Sequence, residues 1–151
     1  MESCIFCDIL AGKEPASRVF EDRHAAVILD LFPVTEGHAL IISRHHSPQL
    51  SGLPASVSGH LLMLAEKVMQ AQKALDPSIE AHNLLINDGK VANQHVPHVH
   101  LHVIPRRRGD RMRSLFNWST RFLLRANLDK RRQHLDQLAL RLSQQLDAAG
   151  Q

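Results

Sequence analysis

Apolar positions along the first hundred residues change period several times, and each change marks an element. "CIFCDILAGK" (4–13) carries apolar residues at helical spacing and stops at Gly12, which predicts a short helix. "SRVFED" and "AAVILDL" read as two strands divided by a turn at Asp22 and Arg23, and "GHALIISR" as a third, entered through Gly37. Over 54–75 the period becomes that of a helix, with Leu61, Leu64, Val68, Gln72 and Leu75 on one side, Pro54 at the start and Asp76-Pro77 at the end. "HNLLIN" is a further strand closed by Asn87-Asp88-Gly89, and "HVHLHVIP" is the last. A long helix is expected over most of 120–147, with Leu128, Leu135, Leu138 and Leu142 on one face. Strands with short connections and flanking helices predict an α+β fold, an antiparallel sheet of about five strands.

The last strand changes the picture. "HVPHVHLHVIPRRR" places four histidines in the eight residues 95–102. Alternate side chains of a strand point to opposite faces, so His98, His100 and His102 share one face and Val99, Leu101 and Val103 the other. The aliphatic face can meet the core. The imidazoles start about 6.6–7 Å apart and can converge on one small ligand. Metal ligation and nucleophilic or acid–base catalysis both use such an array, and the bland alternative is an edge strand of satisfied histidines.

Charge and composition narrow the classes. The chain has 151 residues, enough for one domain with a real core. Net charge is +3, but 105–132 holds ten Arg or Lys against Asp110 and Asp129, which is +8 and leaves −5 elsewhere. That block suits phosphate-bearing ligands or nucleic acid, or is a solvated helix surface. Aromatic residues are only 4%, with no Tyr, so base stacking on nucleic acid has little to work with; Trp118, Phe116 and Phe122 are expected to pack on the sheet. No apolar run spans a bilayer, and "MESCIFCDILAGKEP" lacks a basic n-region, so neither a membrane span nor a signal peptide is expected. The cysteines, Cys4 and Cys7, suit a cytoplasmic chain with a reduced or metal-bound pair rather than a disulfide framework.

"HVHLHVI" (98–104) matches in full the His-φ-His-φ-His-φ-φ motif, φ being apolar, of the histidine triad superfamily. "CIFCDILAGKEPASRVFED", "ILDLFPVTEGHALIISRHH" and "LLINDG" resemble that family in the same order, so the resemblance covers roughly 3–107. It implies a catalytic domain over 1–107; beyond its reach, 108–151 is expected to be a basic helical extension of the same domain, its apolar stripe from Leu128 to Leu142 packed on that domain or on the dimer mate. It also implies a homodimer in which two subunits form one continuous sheet. The implied activity is hydrolysis or transfer at the α-phosphate of a purine nucleotide conjugate, with no organic cofactor. His100 would be the nucleophile and form a nucleotidyl-histidine, one ring nitrogen attacking while a backbone carbonyl anchors the other. His102 would stabilise charge on the phosphate, and His98 and His38 would support the nucleophile from behind. By motif position Asp30 would hold the ribose hydroxyls, Leu31 would line the base pocket, and Asn87 and Gln94 would sit near phosphate. His95 follows Gln94 where the family often has Ser or Thr, which leaves the leaving-group contact open. A nucleotide-binding interaction module with little turnover is the rival reading; a nucleophile at its centre argues against it.

Cys4 and Cys7 share a helix face, and a pair alone is weak evidence for zinc. The resemblance implies a structural zinc held by Cys4, Cys7, His46 and His98, with His45 as a rival ligand that points the other way along an extended strand. The alternative is a reduced pair buried as small hydrophobes. Arg106 to Arg108 are expected at the mouth of the nucleotide site, since Arg106 falls within about 14 Å of the triad along a strand. Lys130 to Arg132 are expected to be solvated.

Overall fold

The computed structural model of the chain describes residues 4–120 and 127–149, apart from the side chains of Arg113, Phe116, Trp118, Ser119 and Ala149. The expected packing of Phe116, Trp118 and Phe122 therefore lies outside the described residues. The elements run α1 (Ile5–Leu10), β1 (Arg18–Glu21), β2 (Ala25–Leu29), β3 (Ala39–Ser43), α2 (Ala55–Leu75), β4 (Ile79–Leu85), β5 (His100–Arg107), α3 (Arg111–Thr120) and α4 (Leu128–Ala149). The strands form one antiparallel sheet in the order β1-β2-β3-β5-β4.

Alternation along the central strands sorts side chains into two layers. Val27, Leu29, Ile41, Leu101 and Val103 face α2 and α4 and form the main core with Leu61, Leu64 and Val68. Ile28, Leu40 and Ile42 face the other way, where α1 covers them with Phe6 and Ile9. Register across β3 and β5 sets His102 opposite Leu40 and His100 opposite Ile42. The α1 face of the sheet is thus where apolar packing gives way to imidazoles.

Three boundaries differ from the sequence expectation. The strand expected over 82–87 runs from Ile79 to Leu85. It is a sheet edge with an irregular register near Ile79 and mostly exposed side chains, so it lacks a buried alternating face. Strand β5 begins at His100, not His98, because the His98 N–H turns back to the Val96 carbonyl at 2.8 Å around Pro97. Among the described residues the C-terminal segment holds two helices, α3 and α4, where one over most of 120–147 is expected. On α4 the buried positions are Leu135, Ala139, Leu142 and Leu146, while Leu138 is partly buried and Leu128 is exposed.

Helix α4 completes the core layer beside α2, so its anchoring is testable. Leu142 is 1% exposed. Leu142→Ala should cost about 2–5 kcal/mol in urea unfolding. A loss below about 0.5 kcal/mol, the usual size for surface changes, would show that α4 is dispensable to the core. Among the described residues no helix is long and apolar enough to cross a membrane.

Candidate functional site

The histidines on the α1 face are buried, so each ring nitrogen needs a partner and the partners fix the tautomers. His100 Nδ1 lies 2.7 Å from the His98 carbonyl oxygen. A carbonyl only accepts, so Nδ1 carries the proton and the lone pair of the neutral ring is on Nε2. His102 is set by a longer chain. The Val34 N–H donates to His38 Nδ1 at 3.2 Å, and His38 Nε2 lies 2.9 Å from His102 Nδ1. His38 therefore donates through Nε2, His102 accepts at Nδ1, and His102 keeps a proton on Nε2. Asp30 Oδ2 is 3.6 Å from His38 Nδ1, beyond hydrogen-bond reach, so the Val34 amide decides that tautomer. Adjacent rings thus carry opposite functions: a lone pair on His100 and a donor on His102, their centroids 4.9 Å apart.

Both rings open on a cavity of about 700 Å³, within the usual range for small-molecule sites. Its apolar lining comes from Ile5, Phe6 and Ile9 of α1 together with Ile28, Leu31 and Phe32. Polar groups enter from Asp30, Asn87, Asn93 and His95. Asp30 is 7% exposed and its Oδ1 accepts from the Phe32 N–H at 2.9 Å, which aims the carboxylate. Of the expected nucleotide contacts, Asp30, Leu31, Asn87, His100 and His102 come together here. Gln94 does not line the cavity: its Oε1 accepts from the Gly89 N–H at 2.8 Å and its Nε2 donates to the Pro48 carbonyl at 2.7 Å. Both ends of that amide brace the loop. Its neighbours Asn93 and His95 are in the lining instead; Asn93 adopts a left-handed backbone (φ 62°), which asparagine tolerates.

The expectation for the arginines after the triad is overturned. Arg106 meets Asp110 through Nη2 at 2.6 Å and Asn83 through Nη1 at 2.7 Å. Arg107 meets Asp76 at 2.7 Å and the Glu36 carbonyl at 3.2 Å. The Ser78 hydrogen bond, then Arg107, hold the Asp76 carboxyl down at about 2. Neither arginine lines the histidine cavity, and Arg108 is an exposed residue outside it. Local acids satisfy these forks before any ligand phosphate can. The expectation of a solvated 130–132 run also fails in part. Lys130 is exposed, but Arg131 bonds the Leu31 carbonyl and lies 5.4 Å over the Phe32 ring, and Arg132 lines the cavity.

A second cluster lies behind His98. Its Nε2 donates to the Ser43 carbonyl at 2.6 Å, so Nδ1 bears the lone pair. That nitrogen lies 3.3 Å from Cys4 Sγ, 3.6 Å from Cys7 Sγ and 3.2 Å from His46 Nδ1. Cys7 Sγ is 3.3 Å from His46 Nδ1, and all four donor atoms fall within 4.8 Å of one another. Ligands bound at about 2.0–2.3 Å around a tetrahedral zinc sit about 3.3–3.8 Å apart, so this donor set fits the ion. His45 is outside the cluster; its carbonyl accepts from Ser43 Oγ. Burial pushes the Cys7 thiol up and the His98 imidazole down, which keeps both neutral without a cation. A bound metal ion reverses that balance by drawing off the thiol protons.

Comparison with known proteins bears on both clusters. The HIT domain family model matches residues 11–109. An HIT-like protein of Mycobacterium tuberculosis is 38% identical over 109 residues, 72% of this chain and 75% of that one. An adenosine 5'-monophosphoramidase of Saccharomyces cerevisiae is 36% identical over 105 residues, 70% of this chain and 63% of that one. Among solved structures, a Zn-bound histidine triad family protein from Mycobacterium smegmatis superposes with a TM-score of 0.78 at 35% identity. It covers 97% of each chain, the C-terminal helices included.

Proposed function

The chain belongs to the HIT domain family, and from that premise we propose that it hydrolyses nucleotide conjugates at the α-phosphate through a covalent nucleotidyl-His100 intermediate. The observation that carries this reading is the 2.7 Å contact between His100 Nδ1 and the His98 carbonyl, because it leaves the Nε2 lone pair as the attacking group. In the first step Nε2 forms a bond to the α-phosphorus and the bond to the leaving group breaks, its electron pair going to that group, which takes a proton from solvent that the water of the second step later returns. In the second, water forms a P–O bond, the P–N bond breaks, and the nucleoside monophosphate departs. The ring is cationic between the steps, and the His98 carbonyl stabilises it through Nδ1–H. His102 Nε2–H is the donor for a non-bridging oxygen, fixed by the relay through His38. Asp30 accepts from the ribose diol, Leu31 and α1 enclose the base, and Asn87 lies near the phosphate. Gln94 holds the phosphate loop rather than the phosphate.

Domain roles follow the same reading: 1–107 carries the catalysis and 108–151 is an extension docked on it. The yeast relative's name makes adenosine 5'-phosphoramidate the first compound to assay. Release of AMP by the pure protein supports the proposal, and nucleotide binding without release would favour a binding module.

Zinc held by Cys4, Cys7, His46 and His98 is structural in this proposal, tying α1 to the sheet while His100 does the chemistry. A reduced cysteine pair suits a reducing compartment such as the cytoplasm.

The proposal includes a homodimer built through β4. That strand is a sheet edge, Leu84 on it is 42% exposed, and Leu62 and Met63 of α2 are exposed as well. A bare strand edge next to an apolar strip suits pairing with a second copy. Sedimentation should show a dimer at micromolar concentration, and Leu84→Glu should shift it toward monomer. A monomeric wild-type chain would remove the dimer from the account.

A further inference from the structure

Arg132 belongs to α4, beyond the segment that the family model matches, yet it lines the cavity that holds His100 and His102. Its place in that cavity is readable from its neighbours. Arg132 Nη1 reaches Ser17 Oγ at 3.4 Å, and the preceding Arg131 reaches the Leu31 carbonyl. Ser17 is buried and donates to Asp136, one turn further along α4, at 2.6 Å. Leu135 and Ala139 seat the same turns of the helix in the core. The guanidinium is therefore delivered by a packed helix to the end of the cavity formed by Glu14, Pro15, Ala16, Asp30 and Leu31. Its hydrogen bond to Ser17 is long, so most of the fork remains for a ligand.

We propose that Arg132 is a base-reading residue that makes this site prefer guanine over adenine. The inference rests on the nucleotide reading of the cavity. Guanine offers O6 and N7 as a pair of acceptors that an arginine fork meets with two hydrogen bonds. Adenine places an amino donor at position 6, which faces the fork donor to donor. Glu14, an exposed residue, lines the same cavity, and its N–H donates to the Asp8 carbonyl of α1. A carboxylate complements the N1–H and 2-amino donors of guanine and has no such pair on adenine. An extra phosphate on the ribose is the other partner an arginine would take. The buried Asp30 carboxylate at the same end repels it, so the base is the better fit.

The test is calorimetric binding of GMP, IMP and AMP to the full chain, which reads the base without requiring turnover. Wild type should bind GMP at least about fivefold more tightly than AMP, within the discrimination a bidentate pair provides. Arg132→Met should bring that ratio close to one, and Arg132→Lys, a single point donor, should fall between. IMP keeps O6 and N7 but lacks the 2-amino group, so its advantage over AMP should also vanish in Arg132→Met. Thermal melting of each variant shows that it is folded. A wild-type ratio near one overturns the inference, as does a ratio unchanged in a variant that melts like wild type. Guanine selectivity in a chain with no turnover would sink the hydrolase reading and leave this one standing.

Discussion

His100→Ala should lower phosphoramidate turnover by about 10⁴-fold or more, the scale seen when a nucleophile is removed from a covalent mechanism. Nucleotide binding should largely survive, because in the proposed reading Asp30, Leu31 and the α1 residues of the cavity hold the nucleoside. Neither of its triad neighbours is set to replace it. The His102 ring points a proton, not a lone pair, into the cavity through the relay from Val34 and His38. His98 directs its lone pair at the cysteines. Steady-state kinetics of the variant, with AMP binding measured alongside, gives the answer. Turnover within tenfold of wild type would remove His100 from its assigned role.

Replacing Cys4 and Cys7 together with serine should remove the zinc, from about one per chain to a small fraction. The stability lost should be about 4 kcal/mol, the linkage for free zinc a thousandfold above its dissociation constant. The effect should also reach the nucleotide site. Phe6 lies between the two cysteines, packs on His98 and His100 with centroids 5.8 and 4.9 Å away, and lines the cavity. Loosening α1 therefore loosens the base wall, and weaker AMP binding should accompany the loss of metal. Elemental analysis with thermal melting checks the claim. Protein purified without chelator that lacks zinc, or a double variant that retains it, would reject the site.

Much of this was legible in the sequence because period carries it. The 3.6-residue period of α2 and the alternation in "HVHLHV" each imply a buried face, and both faces are where they were expected. Other parts left no periodic trace. Strand β4 has an edge strand's mixed exposure, so its first residues carried no signal. Helix α3 is only ten residues long, begins just after Gly109 and mixes apolar with basic positions, so no clear period marks it. Arg106 to Arg108 looked like a phosphate mouth because a charge run shows no partners in one dimension. Asp110, four residues from Arg106, was the available hint, and Asp76 lies too far away in sequence to have been one. Arg132 was misread for the reverse reason. It sits in a basic run, yet Leu135 and Ala139 beside it seat the helix that carries it to the cavity. Gln94 and Asn93 show the limit of motif position: neighbouring residues exchange places between brace and lining when the loop turns through a left-handed asparagine.

The central claim is that the reaction passes through two displacements at phosphorus, the first by His100 and the second by water. Each in-line displacement inverts the phosphorus, so the pair returns the original configuration. The most direct measurement is the stereochemical course with a nucleotide conjugate made chiral at the α-phosphorus by sulfur and oxygen isotopes, hydrolysed to the monophosphate. Retention is the result this account predicts, and inversion, the signature of direct attack by water, would contradict it.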